Sequence, residues 1–499
     1  MFSLTLDRDA QEPLYRQIKR ALAAQIEHGL LAPGDRLPPT RQLAGQLGVA
    51  RISVVAAYEE LRAEGWITAQ VGRGTFVAER EEVPLPGGGA SLAGTARAPG
   101  AALRDLLRLA ARPGVIDFSQ GSPAEDFLPV GLIRDAINAV LARDGAAAVA
   151  YESPEGYLPL REAIARSLRW QGIPTHAGEV LITGGCQQAL DLAVQALLNP
   201  GDVLLTSNPT YAGMLDIAQA RGVVAVGVPV DAEGMRTDAV EELIIEHRPR
   251  LLYIAPTYHN PTGTVMPLHR RHHLLDIAAR HRLPVLEDAV YEPLTYVGTP
   301  PPSLKALEAE GEAAARGMVL YASSFSKVFL PGMRIGYLVA GGRLYQRLAS
   351  VKRAADVCTP ALNQRAMQVV MEGSALRDHL AEVQVACAQR RAAMLDALTR
   401  HFPTTSWDEP AGGLYVWARL PGDGPTATEL FLHAVHRGVA FAMGPLFHTD
   451  GGGAYHLRLN IAAHPPEIIQ EGIRRLAAAW RDLAAGYEPV GESEGAPFL

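Results

Sequence analysis

Residues 321–337 read YASSFSKVFLPGMRIGY. A lysine, Lys327, stands between small hydroxyl residues, Ser324 and Ser326, and an apolar run that ends in Pro-Gly-Met-Arg334. Of the 46 basic residues only four are lysine: Lys19, Lys305, Lys327 and Lys352. A chain that uses arginine for nearly every cation has kept a lysine in a stretch too apolar for an ordinary surface residue. The amine of lysine condenses with a carbonyl to form a Schiff base, and a guanidinium does not. Lys327 is therefore a candidate for carbonyl chemistry.

The segments before it alternate. VLLTS (203–207), VVAVGVPV (223–230), LLYIAP (251–256) and PVLEDA (284–289) are short apolar runs separated by stretches of helical length. This pattern predicts a largely parallel α/β sheet with its chemistry at the loops that leave the strand ends. Three such loops stand out. TGGCQQALDLAVQAL (183–197) runs from strand through glycines into an amphipathic helix, whose first backbone N–H groups suit a phosphate. YHNPTG (258–263) forces a turn that presents Asn260 as a hydrogen-bond donor, although it also reads as a simple turn. VLEDAVYE (285–292) leaves Asp288 at the end of an apolar strand, with Tyr291 three residues on. A buried aspartate requires a cation or donors. Taken together with Lys327, the loops offer an anion site, a partner for a pyridine nitrogen, a partner for a phenolic oxygen and an imine-forming amine. Pyridoxal 5′-phosphate (PLP) presents that set of groups.

The order and spacing of these motifs over about residues 114–484 resemble fold-type I, class I/II aminotransferases. The resemblance implies a role for each residue. Lys327 carries the cofactor as a Schiff base and shuttles a proton if turnover occurs, and Asp288 pairs with the protonated ring nitrogen. Asn260 and Tyr291 bond the 3-hydroxyl oxygen, and Tyr211 stacks on the ring. Ser324, Ser326, Arg334 and the N–H groups of Cys186 and Gln187 hold the phosphate. Tyr151 reaches the phosphate of a partner subunit. Arg458, in YHLRLNIA, binds an α-carboxylate bidentately. Cys186 departs from the family, where Ser or Ala is commoner, so one hydroxyl contact to phosphate is expected to be missing.

The N-terminal part has a different rhythm. Leu14, Ile18, Leu22 and Ile26 form one stripe of a helix between Pro13 and Gly29. A second helix is predicted over Thr40–Leu47 and, after the Gly48-Val49 turn, a third over about Ala50–Ala63 that buries Val54, Tyr58 and Leu61. WITAQVGRGTFV then gives two short β runs around Gly72-Arg73-Gly74. This is the order of a winged helix-turn-helix. In such a unit Arg51 and Ser53 open the third helix, whose start enters the major groove, Arg41 opens the second, and Arg73 sits at the wing tip. PLYRQI, LLAPGDRLPPTRQLAGQLGVAR, AAYEELRAEGWI and GRGTFV resemble the GntR-type DNA-binding domain over nearly all of residues 11–77. Pro39 and Ala50 depart from its usual Ser/Thr and Ser; Ala50 gives up a helix cap worth roughly 0.5–2 kcal/mol.

The predicted fold is therefore multidomain. Residues 1–78 form a mainly α winged helix-turn-helix and 79–113, rich in Gly, Pro and Ala, a linker. Residues 114–485 form an α/β fold-type I PLP-dependent aminotransferase-like domain with large and small subdomains, and 486–499 a flexible tail. The net charge of −7 gives no global footprint for nucleic acid. It is unevenly spread, however: residues 1–80 are near neutral and the remainder carries the acidity. Cys186, Cys358 and Cys387 lack metal-like or CxxC spacing, which suits a reducing cytosol. No signal peptide or membrane span is evident. His269, His272 and His273 are read as a solvated helix face rather than a metal site, and PAGGLYVW (410–417) as a core strand after a turn.

The two halves in this order resemble the MocR/GabR family of bacterial transcription regulators. That resemblance implies a cytoplasmic homodimer that binds operator DNA and senses an amino acid, amine or PLP vitamer through Schiff-base chemistry. An active aminotransferase carrying a DNA-binding domain is the alternative, favoured by the intact Asn260 and Arg458. A PLP-storage or scaffold protein fits the N-terminal part poorly.

Overall fold

A computed structural model describes residues 13–27, 34–63, 66–70, 74–78, 107–311 and 317–486. The chain forms two compact units, Met1–Ala96 and Arg97–Leu499.

The first unit has three helices, Leu14–Glu27, Thr40–Leu47 and Arg51–Ala63, and a small antiparallel sheet. Ile18, Leu22, Leu43, Val54, Ala57 and Leu61 are fully buried against one another. The second helix stops at Gly48, whose φ of 61° lets its N–H reach back to the Ala44 carbonyl. Its N-cap is Pro39, with no side-chain cap. Tyr58 is buried and satisfies its hydroxyl by donating to the Pro38 carbonyl at 2.8 Å. The wing pairs Ile67–Gln70 with Gly74–Val77, and a third strand, Arg36–Leu37, pairs with Gly74–Val77. That third strand is only two residues long, too short to show an alternation in sequence. Arg73 lies outside the described residues.

The second unit is built on an eight-stranded sheet. In spatial order its strands are Val180–Thr183, Gly336–Val339, Val319–Ser324, Val285–Asp288, Leu251–Ile254, Val203–Asn208, Val224–Asp231 and Gly234–Met235. The run from Val319–Ser324 to Val224–Asp231 is parallel throughout; Gly336–Val339 and Gly234–Met235 run antiparallel to their neighbours. The sheet is thus mixed but largely parallel. Successive side chains of a strand point to opposite faces, and both faces are covered. Tyr253, Leu286, Leu320 and Leu338 join one core, while Leu252, Ile254, Val285 and Val319 join another. A four-stranded antiparallel sheet, Ser406–Trp407, Tyr415–Arg419, His456–Asn460 and Ala442–Met443, forms the small subdomain. It packs with the helices Ala375–His401, Ala427–His436 and Pro466–Ala485 around Phe431, Phe441, Leu459 and Ile473.

The parallel strands end at one edge, and this brings the chemistry together. Asp288 closes its strand opposite Ala322, five residues before Lys327. The start of Gly336–Val339 presses on the helix that begins at Cys186. A Cβ on Gly336 would stand 2.6 Å from the Gly185 carbonyl carbon and 2.9 Å from the Cys186 nitrogen. Only glycine permits that approach.

The three cysteines are free. His269 and His272 are exposed on the helix Leu268–His281, and His273 shares a hydrogen bond with Thr237. Among the described residues, no cluster of three or more His, Cys, Asp or Glu side chains is placed to hold a metal ion, and no helix is long and apolar enough to cross a membrane.

Candidate functional site

A cavity of about 370 Å³ opens at the strand ends of the large subdomain and against the small one. Lys327, Asp288, Asn260, Tyr291, Tyr211, Cys186, Gln187, Ser324, Ser326, Arg334 and Arg458 all line it.

Asp288 is 6% exposed. Its carboxylate accepts from the Tyr253 hydroxyl at 2.9 Å, from the Val290 N–H at 3.3 Å and from the Cys186 thiol at 3.6 Å. Every one of these donors is neutral. Burial raises the aspartate pKa above its ordinary value, against the pull of those bonds and of the Lys327 charge. Burial likewise pushes the Cys186 thiol well up, so it stays protonated and donates. The side chain of Cys186 thus serves Asp288, while its backbone N–H remains at the helix start.

Lys327 ends a short 3-10 turn, Phe325–Lys327, directly after the strand Val319–Ser324. Its amine donates to the Gly121 carbonyl at 2.6 Å. Beside it lies an anion corner. The helix Cys186–Leu197 begins at Gly185 with no side-chain cap, so its first N–H groups are open to a ligand. Ser324 donates to Ser326 at 2.9 Å. Arg334, held in left-handed backbone at φ 53°, reaches the Gly184 carbonyl at 2.9 Å and Ser326 at 3.5 Å.

Arg458 closes the other side. It is 7% exposed, lies on the strand His456–Asn460, and stacks 4.0 Å from the centre of the Tyr415 ring and 4.8 Å from that of Phe447. It donates to Asn260 Oδ1 at 2.8 Å and to the Ser119 carbonyl at 2.7 Å, and its Nε has no partner. With Oδ1 occupied, the amide NH2 of Asn260 is the group left for a ligand. Two buried side chains fix the Asn260 turn. Arg271 donates to the carbonyls of Met266, Pro256 and Pro302 and to the Thr257 hydroxyl. His259, whose pKa burial lowers to about 4, bridges Ser207 and Thr262 as a neutral ring.

Tyr211 donates to Gln187 at 2.9 Å, and Tyr291 shares a 3.0 Å bond with Tyr415. Tyr415 belongs to the PAGGLYVW run, so this stretch supplies the cavity as well as the core. Tyr253 and Tyr415 were not read as site residues because their runs, LLYIAP and PAGGLYVW, read as strand and core, and Gly121 lies in an ordinary loop. Tyr151 is 87% exposed and does not line this cavity. In the first unit Arg41 and Arg51 are exposed and Ser53 is half-buried.

The donor set fits PLP. A buried carboxylate with only neutral hydrogen-bond donors suits a protonated ring nitrogen. An uncapped helix start with two serines and an arginine suits a phosphate, and a lysine amine stands between them.

The family described as aminotransferase class I and II matches residues 113–476, and that described as bacterial regulatory proteins, gntR family, matches 14–77. The chain is 31% identical to the uncharacterized HTH-type transcriptional regulator YisV of Bacillus subtilis, covering 95% of this chain and 98% of that one. It is 29% identical to the probable rhizopine catabolism regulatory protein MocR of Rhizobium meliloti, covering 99% of each. The chain belongs to the MocR-type regulators. Among solved structures, LysN, the α-aminoadipate aminotransferase of Thermus thermophilus, complexed with N-(5′-phosphopyridoxyl)-L-leucine, superposes with a TM-score of 0.71. The two are 36% identical, over 77% of this chain and 95% of that one. This MocR-type chain therefore joins a GntR-family reader to an aminotransferase-fold domain.

The electrostatics of Asp288 yield a test. Its raised pKa means that folding disfavours the charged form. The penalty is present above the ordinary carboxylate pKa of 3.8 and vanishes as pH falls below it. Asp288→Asn should leave the cofactor-free protein at least as stable as wild type at neutral pH, with that advantage lost in acid, while retention of PLP falls by at least about tenfold. Thermal unfolding with and without PLP across pH checks both halves.

Proposed function

We propose that this chain is a PLP-dependent, DNA-binding transcription regulator whose aminotransferase-fold domain senses a small amine or amino acid. The observation that carries this reading is the joint placement of Lys327, Asp288 and Arg458 on one cavity in a chain that also carries a GntR-family reader. Bound there, PLP supplies an aldehyde for Schiff-base exchange and an electron sink. Asp288 would hold a ring-nitrogen proton, Asn260 and Tyr291 would address the phenolic oxygen, and the anion corner would orient the phosphate. Lys327 would provide the amine that holds the aldehyde carbon.

Arg458 connects sensing to conformation. In this structure its guanidinium ties a small-subdomain strand to Asn260 of the large subdomain and to the backbone at Ser119. An effector carboxylate that takes a share of those donors changes how the subdomains hold together, and a ligand shifts a conformational equilibrium only through such a difference. The relatives that match over nearly the whole chain are named as regulators, which favours sensing over turnover. The working form is a cytoplasmic homodimer on double-stranded operator DNA. The exposure of Tyr151 and of neighbouring Val149 supports a second copy covering that surface, with Tyr151 reaching the partner's phosphate. Arg41, Arg51, Ser53 and Arg73 make the DNA contacts.

Operator binding should change when PLP-loaded protein receives an effector amine. Fluorescence anisotropy on the protein's own upstream DNA, read with and without PLP and a panel of amines, checks this; indifference to all of them rules the reading out. Arg51→Ala should weaken DNA binding by about 1–3 kcal/mol and leave the PLP absorbance spectrum unchanged.

A further inference from the structure

The walls of the cavity define the chemistry of the effector, given the roles proposed above for Lys327 and Arg458. Among the described residues, the cations that line the cavity are Lys327, Arg334 and Arg458, and the one carboxylate is Asp288. Lys327 is the imine-forming amine. Arg334 is engaged at the anion corner with the Gly184 carbonyl and Ser326. Arg458 is left for a carboxylate, with its buried Nε still without an acceptor.

Beyond its bonds to Asn260 and Ser119, Arg458 has apolar neighbours on one side. Ala442 is its direct cross-strand neighbour, so the two side chains share a face. The Phe447 ring lies against the guanidinium, and Leu446 and Leu107 line the same cavity. Ala442, Leu446 and Phe447 are buried members of the small-subdomain core, with Leu107 packed against it. This wall is therefore continuous with a packed interior and does not rearrange cheaply to solvate a charge.

We infer that the effector is an α-amino acid with an uncharged, apolar side chain. Its amine exchanges with Lys327, its carboxylate pairs with Arg458, and its side chain lies against Leu107, Ala442, Leu446 and Phe447. A dicarboxylic amino acid would place a second carboxylate on that wall, where no cation among the described residues of the same subunit stands to meet it, and buried charge without a partner is strongly disfavoured. An amine without a carboxylate would leave the Arg458 Nε without an acceptor.

The test is a titration of the PLP-loaded full-length protein, following the imine absorbance, with four probes. L-Methionine and L-glutamate differ chiefly in the charge of the side chain; L-phenylalanine and 2-phenylethylamine differ in the α-carboxylate. The two apolar amino acids should displace the Lys327 imine with apparent affinities at least about tenfold tighter than their counterparts. L-Glutamate equal to or tighter than L-methionine, or 2-phenylethylamine equal to L-phenylalanine, would overturn the inference while leaving amine sensing in place. Silence with all four probes would overturn the inference, and silence across the whole amine panel as well would overturn amine sensing itself.

Discussion

Asp288 closes an apolar strand, and its carboxylate is taken out of water with only a phenol, a thiol and a backbone amide as donors. An ion removed from water costs several kcal/mol even after relaxation, and neutral donors recover only part of that. The large subdomain is arranged around meeting this cost. Tyr253 is delivered by the adjacent parallel strand, and Cys186 by the helix that Gly336 allows to approach. What remains unmet is a bonded positive charge, which on the proposed reading the ring nitrogen of a protonated pyridine would supply. The lysine, the serines and the helix start then take their meaning from where such a ring would lie.

The opposite wall obeys a related constraint. Arg458 is a buried guanidinium whose hydrogen bonds go to an amide oxygen and a carbonyl, and it stacks on two aromatic rings. Aromatic stacking and neutral acceptors hold it in place without neutralising it. The cavity thus lies between an aspartate with no cation bonded to it and an arginine with no anion bonded to it, on two subdomains that meet there. A zwitterionic ligand joined to a cationic ring satisfies both. This pairing of opposite deficits gives a sensor domain a physical reason to respond to an amino acid.

Much of this was legible in the sequence. The alternation of apolar runs and helical stretches located the parallel strands, and the loops after them carried Asn260, Asp288 and Lys327 in the order that a pyridoxal site needs. In the reader, Val54, Tyr58 and Leu61 were legible from helical spacing alone. Other features were hidden for definite reasons. The two-residue strand Arg36–Leu37 has no period. Tyr253 sits inside a strand whose apolar character masks a hydroxyl aimed at Asp288. Arg271 looks like one more surface arginine in a basic helix, yet it is fully buried and staples the Asn260 turn. Tyr415 lies in a run that reads as core, and only the pairing of the small-subdomain sheet turns it toward the cavity. Cys186 read as a lost phosphate contact, whereas its thiol faces Asp288. For Tyr253, Tyr415 and Cys186 the deciding contact joins residues far apart in the chain, and local pattern does not encode it.

The central claim is that the cavity between Asp288 and Arg458 holds PLP through Lys327. Borohydride reduction of the PLP-loaded protein, followed by peptide mass mapping, tests it most directly, because the chain offers only four lysines. The account predicts a phosphopyridoxyl group on the peptide that contains Lys327 and on no other. Its absence there, or its appearance on Lys19, Lys305 or Lys352 instead, would contradict the account.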